Sequence, residues 1–359
     1  MRAAAAAGPV RFYVTNANGQ SDSPFPVLTT VTPVRGRTTL PAISVGQNPT
    51  AIAITPNGRT AYVANTGAQT VGTTVTPIPT ATNKPGKAIK VGKYPDAIVI
   101  TPNGKTAYVA NAGSGTVTPI KIATNKPGKA IKVGKSPQFL VLTPNGKTLY
   151  VGNESSSTVT PIRTATNKAG KAIKVGQYPV AIAITPNGKT LYVVSRTSNT
   201  VTPIRTATNK AGTPISVPAG PAAIVVTPDS QTAYVASQEA GVVTPIATAT
   251  NTAGTPISTG TYPASLAVTP NGKTVYAIFG GILTYTPGTV IPIQTATNTA
   301  GTPITVGDGA GRMVITPNGR AGYLVDSYSN SVTRINTATN KITATIGAGP
   351  FPDAIALVP

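Results

Sequence analysis

The stretch AIVITPNGKTAYVANAGSGTVTPIKIATNKPGKAIKVG, residues 97–134, holds four short runs of strand-forming residues separated by turn residues. AIVIT alternates with period two, as a half-buried strand does. PNGK is a turn, in which Pro102 presets φ and Gly104 is free to take positive φ. TAYVAN reads as a second strand, GTVTPI as a third and AIKVG as a fourth, with KIATNKPGK turning the chain between the last two.

The unit recurs. TPNG or a near copy begins at Thr55, Thr101, Thr143, Thr185, Thr227, Thr269 and Thr316, at intervals of 46, 42, 42, 42, 42 and 47 residues. A tyrosine follows each at one offset: Tyr62, Tyr108, Tyr150, Tyr192, Tyr234, Tyr276 and Tyr323, with Tyr13 in an incomplete first copy. TATN or IATN closes every complete copy. A four-stranded unit repeated this way cannot bury both of its faces alone, and a closed ring of such units needs no capping repeat. The sequence therefore predicts an all-β chain folded as a β-propeller of four-stranded antiparallel blades.

Seven units are complete. PDAIALVP, 352–359, is a lone first strand, and residues 11–46 hold the second to fourth runs of a further unit. Together they predict an eighth blade, closed by the C-terminal strand joining three N-terminal ones; seven blades with loose ends is the alternative. Residues 10–359 are then one propeller domain and 1–9 a disordered tail. MRAAAAAGPV also reads as the scar of a trimmed signal peptide. The third run carries a proline in seven of eight copies (Pro33, Pro77, Pro119, Pro161, Pro203, Pro245 and Pro292), where a bulge or an early strand end is expected.

The name-giving tetrapeptide of the YVTN-type β-propeller repeat family stands here as Tyr13-Val14-Thr15-Asn16, with YVAN at 62–65 and 108–111 and YVGN at 150–153. The chain resembles that family over 11–358. The resemblance implies a surface-layer, periplasmic or secreted protein, and it carries no particular activity. The family is usually pictured with seven blades, so a count of eight departs from it.

The sequence has no Cys and no His, which removes disulfides, the usual zinc and haem ligand sets, and every triad with a histidine base. No apolar run is long enough to span a membrane. Neither a cofactor nor a metal is called for, and a monomer is expected.

The net charge of +21 is uneven. Residues 84–210 carry 19 Lys and Arg against Asp96 and Glu154, whereas 211–359 carry five of each sign. In up-and-down order, the first-to-second and third-to-fourth turns share one face of the ring, the turn face. The second-to-third turns and the blade-to-blade links share the other, the connection face. The turn face is assigned Lys84, Lys87, Lys105, Lys126, Lys129, Lys147, Lys168, Lys171, Lys189 and Lys210. This arc reads either as a polyanion-binding patch or as a solvated lysine turn copied by duplication. Lys90, Lys132 and Lys174 fall on the outer strand, where they discourage edge-to-edge pairing.

On the connection face the monotonous repeat becomes varied. The residues opening the first strands are Thr50, Asp96, Gln138, Val180, Ala222, Ala264, Gly311 and Asp353. All tyrosines outside the repeated column map here (Tyr94, Tyr178, Tyr262, Tyr285 and Tyr328), as do seven of eight acids and two insertions, 16–30 and 279–289. Loops on a rigid frame are where binding chemistry is commonly placed. The candidate ligand site is Tyr94, Asp96, Gln138, Glu154, Tyr178, Tyr262, Asp308, Arg312 and Asp353, for a small ligand, a glycan or a protein. Packing between blades is the other reading of each Tyr-Pro pair, and an oxygen-only cation site is a second reading of Asp96 with Asp353. The leading expectation is a non-enzymatic binding protein outside the cytoplasm. Its alternative is a lactonase- or lyase-like enzyme in the channel, using Arg312, Asp308 and Tyr262.

Overall fold

The structure, a computed structural model, describes residues 11–17, 27–68, 70–260, 262–280 and 287–359. The expected tail, Asp22, Tyr285 and most of the two insertions lie outside them. Eight antiparallel sheets form the blades. Blade 1 joins Arg11–Asn16, Thr30–Arg35 and the short outer pieces Thr38–Thr39 and Ile43–Ser44 to Pro352–Leu357. Blades 2 to 8 begin with the inner strands Pro49–Ile54, Pro95–Ile100, Pro137–Leu142, Pro179–Ile184, Pro221–Val226, Ser265–Val268 and Ala310–Ile315. Each inner strand lies against those of the two neighbouring blades, and Pro352–Leu357 touches both Ala310–Ile315 and Pro49–Ile54, so the ring closes at eight.

The TPNG motif is a hydrogen-bonded turn. In blade 3 the Gly104 amide donates to the Thr101 carbonyl at 2.8 Å, and Gly104 holds φ at +67°. The Asn103 side chain accepts from the Thr101 hydroxyl at 2.7 Å and from the Lys105 amide at 3.0 Å.

TATN does two things at once. Its Asn ends the turn in the left-handed region, φ +54° to +57° in all seven copies, which Asn tolerates better than most residues. That geometry presents its Oδ1 to the repeated tyrosine of the preceding blade. Tyr108 donates to Asn167 at 2.7 Å, Tyr62 to Asn125 at 2.6 Å, and Tyr13, Tyr150, Tyr192, Tyr234 and Tyr276 do the same. Burial pushes the phenols of Tyr62, Tyr108, Tyr150, Tyr192 and Tyr276 up to about 12, so they remain donors. Blade 1 has the tight turn Arg35-Gly36-Arg37 where the others have TATN, and Tyr323 of blade 8 has no Asn to reach. That seam is packed instead: Phe12 lies tilted against Tyr323, ring centroids 4.9 Å apart, inside a buried cluster with Val14, Val325 and Ile355.

The repeated proline does not bulge or end the third strand, contrary to the sequence expectation. Thr116–Lys121 pairs with Thr106–Asn111 in unbroken register, Tyr108 opposite Pro119. The interruption falls in the fourth strand. Lys126–Pro127 and Ile131–Lys132 pair with the two ends of the third strand, and between them the Gly128 amide donates to the Pro119 carbonyl at 2.7 Å. In a strand the N–H and C=O of one residue point the same way, so the donor that Pro119 lacks faces this gap. A Cβ on Gly128 would lie 3.2 Å from the Pro119 ring, tight enough to favour glycine. Blade 8 supplies the comparison. Arg334 replaces the proline, and its fourth strand is one run, Lys341–Gly347, that pairs with every residue of Ser331–Asn336 and keeps only a one-residue bulge, at Thr343.

Candidate functional site

Seven of the eight inner strands carry a register shift at their connection-face end. In blade 3, Pro95 pairs with Asn111 and Ala97 with Ala110, leaving Asp96 unpaired between them. Thr50, Gln138, Val180 and Ala222 occupy the same bulge in their blades, Asp353 does so in blade 1, and Gly311 and Arg312 do in blade 8. A bulge re-aims a side chain that the ladder would otherwise hold in its face. Here it frees one variable residue in each of six blades and two in blade 8, at the mouth of the channel.

Electrostatics link these residues across blades. Asp96 and Asp353 are half-buried, and burial raises both carboxyls above the ordinary value. The Arg312 guanidinium pulls both back down, while Asp353 and Glu154 push Asp96 up further. Gln138 donates to Glu154 at 2.8 Å, and Glu154 also holds the Tyr178 hydroxyl, raising that phenol. The pair read as a cation site thus has an arginine acting on both members. Among the described residues no three acids group as metal ligands would.

A second ring, missed in the sequence reading apart from Glu154, follows the second strands: Thr66, Glu154, Arg196, Gln238 and Ser327. Thr66 bonds to Thr50 at 2.5 Å and donates to the Pro95 carbonyl at 2.8 Å. Arg196 donates to Gln238 of the next blade, and Ser327 to the Pro352 carbonyl at 2.6 Å. These positions also vary within a constant repeat, which was the available signal.

Tyr94, Tyr178, Tyr262 and Tyr328 are between 41% and 51% exposed, so each is packed in part against its neighbours and open in part to solvent. Tyr94 and Tyr178 hold φ at +50° and +56°, a left-handed conformation that costs a non-glycine residue about 1 kcal/mol. Their carbonyls are fixed by the amides of Ala112 and Arg196. Tyr262 packs near Phe279 at 6.1 Å. Asp308 ends the fourth strand of blade 7, its amide donating to Ser329 at 2.7 Å, and its charge acts on Asp326. No described interaction joins Asp308 or Tyr262 to Arg312.

The ten arc lysines are all exposed. Lys105, Lys147 and Lys189 follow the TPNG turns, Lys126, Lys168 and Lys210 open the outer strand at its turn-face end, and Lys84 follows Asn83 at the same place in the repeat. Lys87, Lys129 and Lys171 fall beside the proline gap, on the outer edge midway between the faces and not on the turn face. With Lys90, Lys132 and Lys174 they put three lysines along the outer edge of each of blades 2, 3 and 4.

The fold is an eight-bladed β-propeller in which polar residues gather at one end of the inner strands. Residues 73–177, from the third strand of blade 2 through blade 4, match a family model described as lactonase, 7-bladed β-propeller. No curated protein matches the chain. Among solved structures, dihydro-heme d1 dehydrogenase NirN in complex with DHE is 14% identical, with a TM-score of 0.79 over 99% of this chain and 76% of that one. Apo AztD from Citrobacter koseri is 13% identical, with a TM-score of 0.70 over 98% of each chain. A Bacteroides uniformis protein provisionally assigned as a 6-phosphogluconolactonase is 15% identical, with a TM-score of 0.63 over 98% of this chain and 100% of that one. At these identities the likeness is one of fold.

Proposed function

We propose that the protein is a non-enzymatic, extracytoplasmic binding propeller whose channel mouth takes a small polyhydroxylated anion, of the sugar-acid class. The observation that carries the reading is the bulge heading the inner strands, which collects Asp353, Thr50, Asp96, Gln138 and Arg312 at one mouth. Arg312 suits a carboxylate, which a guanidinium holds in a bidentate fork. Asp96, Glu154 and Gln138 suit hydroxyls, and the exposed tyrosines offer ring faces at the rim. The YVTN resemblance supports a place outside the cytoplasm. The exposed lysine arc, with no acidic partner among the described residues, supports attachment to anionic polymer.

Titration calorimetry with a panel of aldonic and uronic acids tests the first part. Binding that is lost in Arg312→Gln and weakened in Asp96→Asn supports the site; no heat with any member, or unchanged affinity in both variants, rejects it. Retention on heparin that falls steeply with salt supports the arc, since each neutralised charge releases a counterion. The lactonase family match over blades 3 and 4, with a raised Asp96 carboxyl beside an arginine, favours lactone hydrolysis as a second reading. Turnover of sugar lactones that disappears in Asp96→Asn would replace the non-enzymatic reading with it.

A further inference from the structure

The largest open groove among those described on the turn face, about 750 Å³, lies between blades 3 and 4. Its wall departs from the repeat most clearly at Ile122. The position after the third strand is threonine in six blades, and each hydroxyl donates to the carbonyl of the adjacent TPNG-type turn: Thr80 to Gly58 at 2.6 Å, Thr164 to Gly146 at 2.7 Å, Thr206 to Gly188 at 2.6 Å, and likewise Thr248, Thr295 and Thr337. Blade 3 has Ile122 there. It has no hydroxyl to offer Gly104, and it turns that part of the wall apolar.

Ile122 works together with two prolines. Pro119 lies at the fourth-strand gap and Pro127 stands where blades 4 to 6 have alanine, so the walls are rigid and apolar. Three cations edge the same groove, Lys105, Lys121 and Lys126, all exposed and without acidic partners among the described residues. Asn167, an exposed residue already engaged by Tyr108, lines the groove from blade 4. An apolar trough with only positive charge at its rim complements a ligand with a flat apolar body and one anionic group.

We propose that this groove is a binding site for a small amphipathic anion, an aromatic carboxylate or sulfonate. The site is separate from the channel mouth and does not rest on the sugar-acid reading. It shares Lys105 and Lys126 with the polyanion arc, and Ile122 tells the two apart, because a polyelectrolyte needs the lysines and not the apolar wall.

The test is calorimetric titration of the full chain with 2-naphthalenesulfonate, with 2-naphthol and inorganic sulfate as partial ligands. The expected result is one site for the sulfonate, at least tenfold tighter than for either partial ligand. Ile122→Thr, which installs the residue of the other blades and so keeps the fold, should weaken it at least tenfold while leaving heparin retention unchanged. Lys105→Gln should weaken both. Equal affinity in wild type and Ile122→Thr overturns the proposal. So does sulfate binding as well as the sulfonate, which would make it a bare anion site, or 2-naphthol binding as well, which would make the lysines irrelevant.

Discussion

Replacing Asp326 by Asn should stabilise the protein at pH 7 and leave it nearly unchanged at pH 4. Asp326 ends the second strand of blade 8, at the position of Asn111 in blade 3, and is fully buried. Asn111 is matched on both ends: its Oδ1 accepts from the Gly92 amide at 3.1 Å and its Nδ2 donates to the Thr116 and Thr118 hydroxyls at 3.1 and 2.9 Å. Asp326 accepts on Oδ2 from Ser331 and Thr333, at 3.3 and 2.6 Å, while its Oδ1 has no partner. Burial pushes its carboxyl up to about 6; the two hydroxyls oppose the shift and Asp308 adds to it. The folded pKa therefore lies above the ordinary 3.8. Between the two values the folded chain holds a proton that the unfolded chain has released, so stability falls as pH rises from about 4 to about 6 and stays low above. A shift of about two units at 1.36 kcal/mol per unit makes the loss about 3 kcal/mol by pH 7. Asn does not titrate and offers Nδ2 to the hydroxyls. With an unfolding entropy of about 2.1 cal/mol/K per residue, the gain corresponds to roughly 4 °C in Tm. Scanning calorimetry of both proteins at pH 4 and pH 7 measures it. An equal shift at both pH values would show that the carboxyl charge is not the cause, and a loss at pH 7 would refute the argument outright.

Tyr108→Phe should cost about 1 kcal/mol in urea unfolding, the worth of one buried hydrogen bond. Tyr323→Phe should cost much less, because among the described residues its hydroxyl meets only the Arg334 Nε at 3.3 Å; equal losses would mean that the Tyr–Asn bonds do not hold the blades together. Removing residues 352–359 should lower stability by on the order of 5 kcal/mol, from burial of Ala354 and Ile355 and a whole ladder of hydrogen bonds. Unchanged thermal unfolding of that truncation would sink the account of ring closure.

Blade number and ring closure were legible because they depend on spacing alone. TPNG and the tyrosine recur at fixed offsets, and the split repeat at the two ends adds up to one unit. The partner of that tyrosine was not legible. It lies about 59 residues away in blades 3 to 5, and periodicity reports that a residue recurs without reporting which neighbouring copy it touches. The proline was legible as an anomaly but was assigned to the wrong strand. Its missing donor could be aimed only once Tyr108 was known to oppose Pro119, which leaves the gap, and the glycine that fills it, on the fourth strand. At the channel mouth, Asp96, Gln138 and Asp353 stood out as variation within a constant repeat. Thr66, Arg196, Gln238 and Ser327 carried the same signal one strand later and were passed over. The Arg312 partners, Asp353 and Asp96, come from blades 1 and 3, and no local pattern brings those segments together.

A repeat protein supplies its own controls. Where six blades carry a threonine and one an isoleucine, or several carry an asparagine and one an aspartate, folding has already shown what the position requires, and the departure needs another cause. Ile122 gives up a hydrogen bond made in every other blade that has the position. Asp326 accepts an unpaired buried oxygen where Asn111 has none. Arg334 releases the outer strand that proline interrupts elsewhere, and it does so in the blade that lacks the Tyr–Asn lock. The single outer strand Lys341–Gly347 and the tilted Phe12–Tyr323 ring contact therefore reinforce the seam at which the two ends of the chain meet. Ile122 lies away from that seam; its side chain packs in part against the buried cluster of blades 2 and 3, and it also forms part of the groove wall, so the hydrogen bond it gives up is exchanged for apolar surface on both sides.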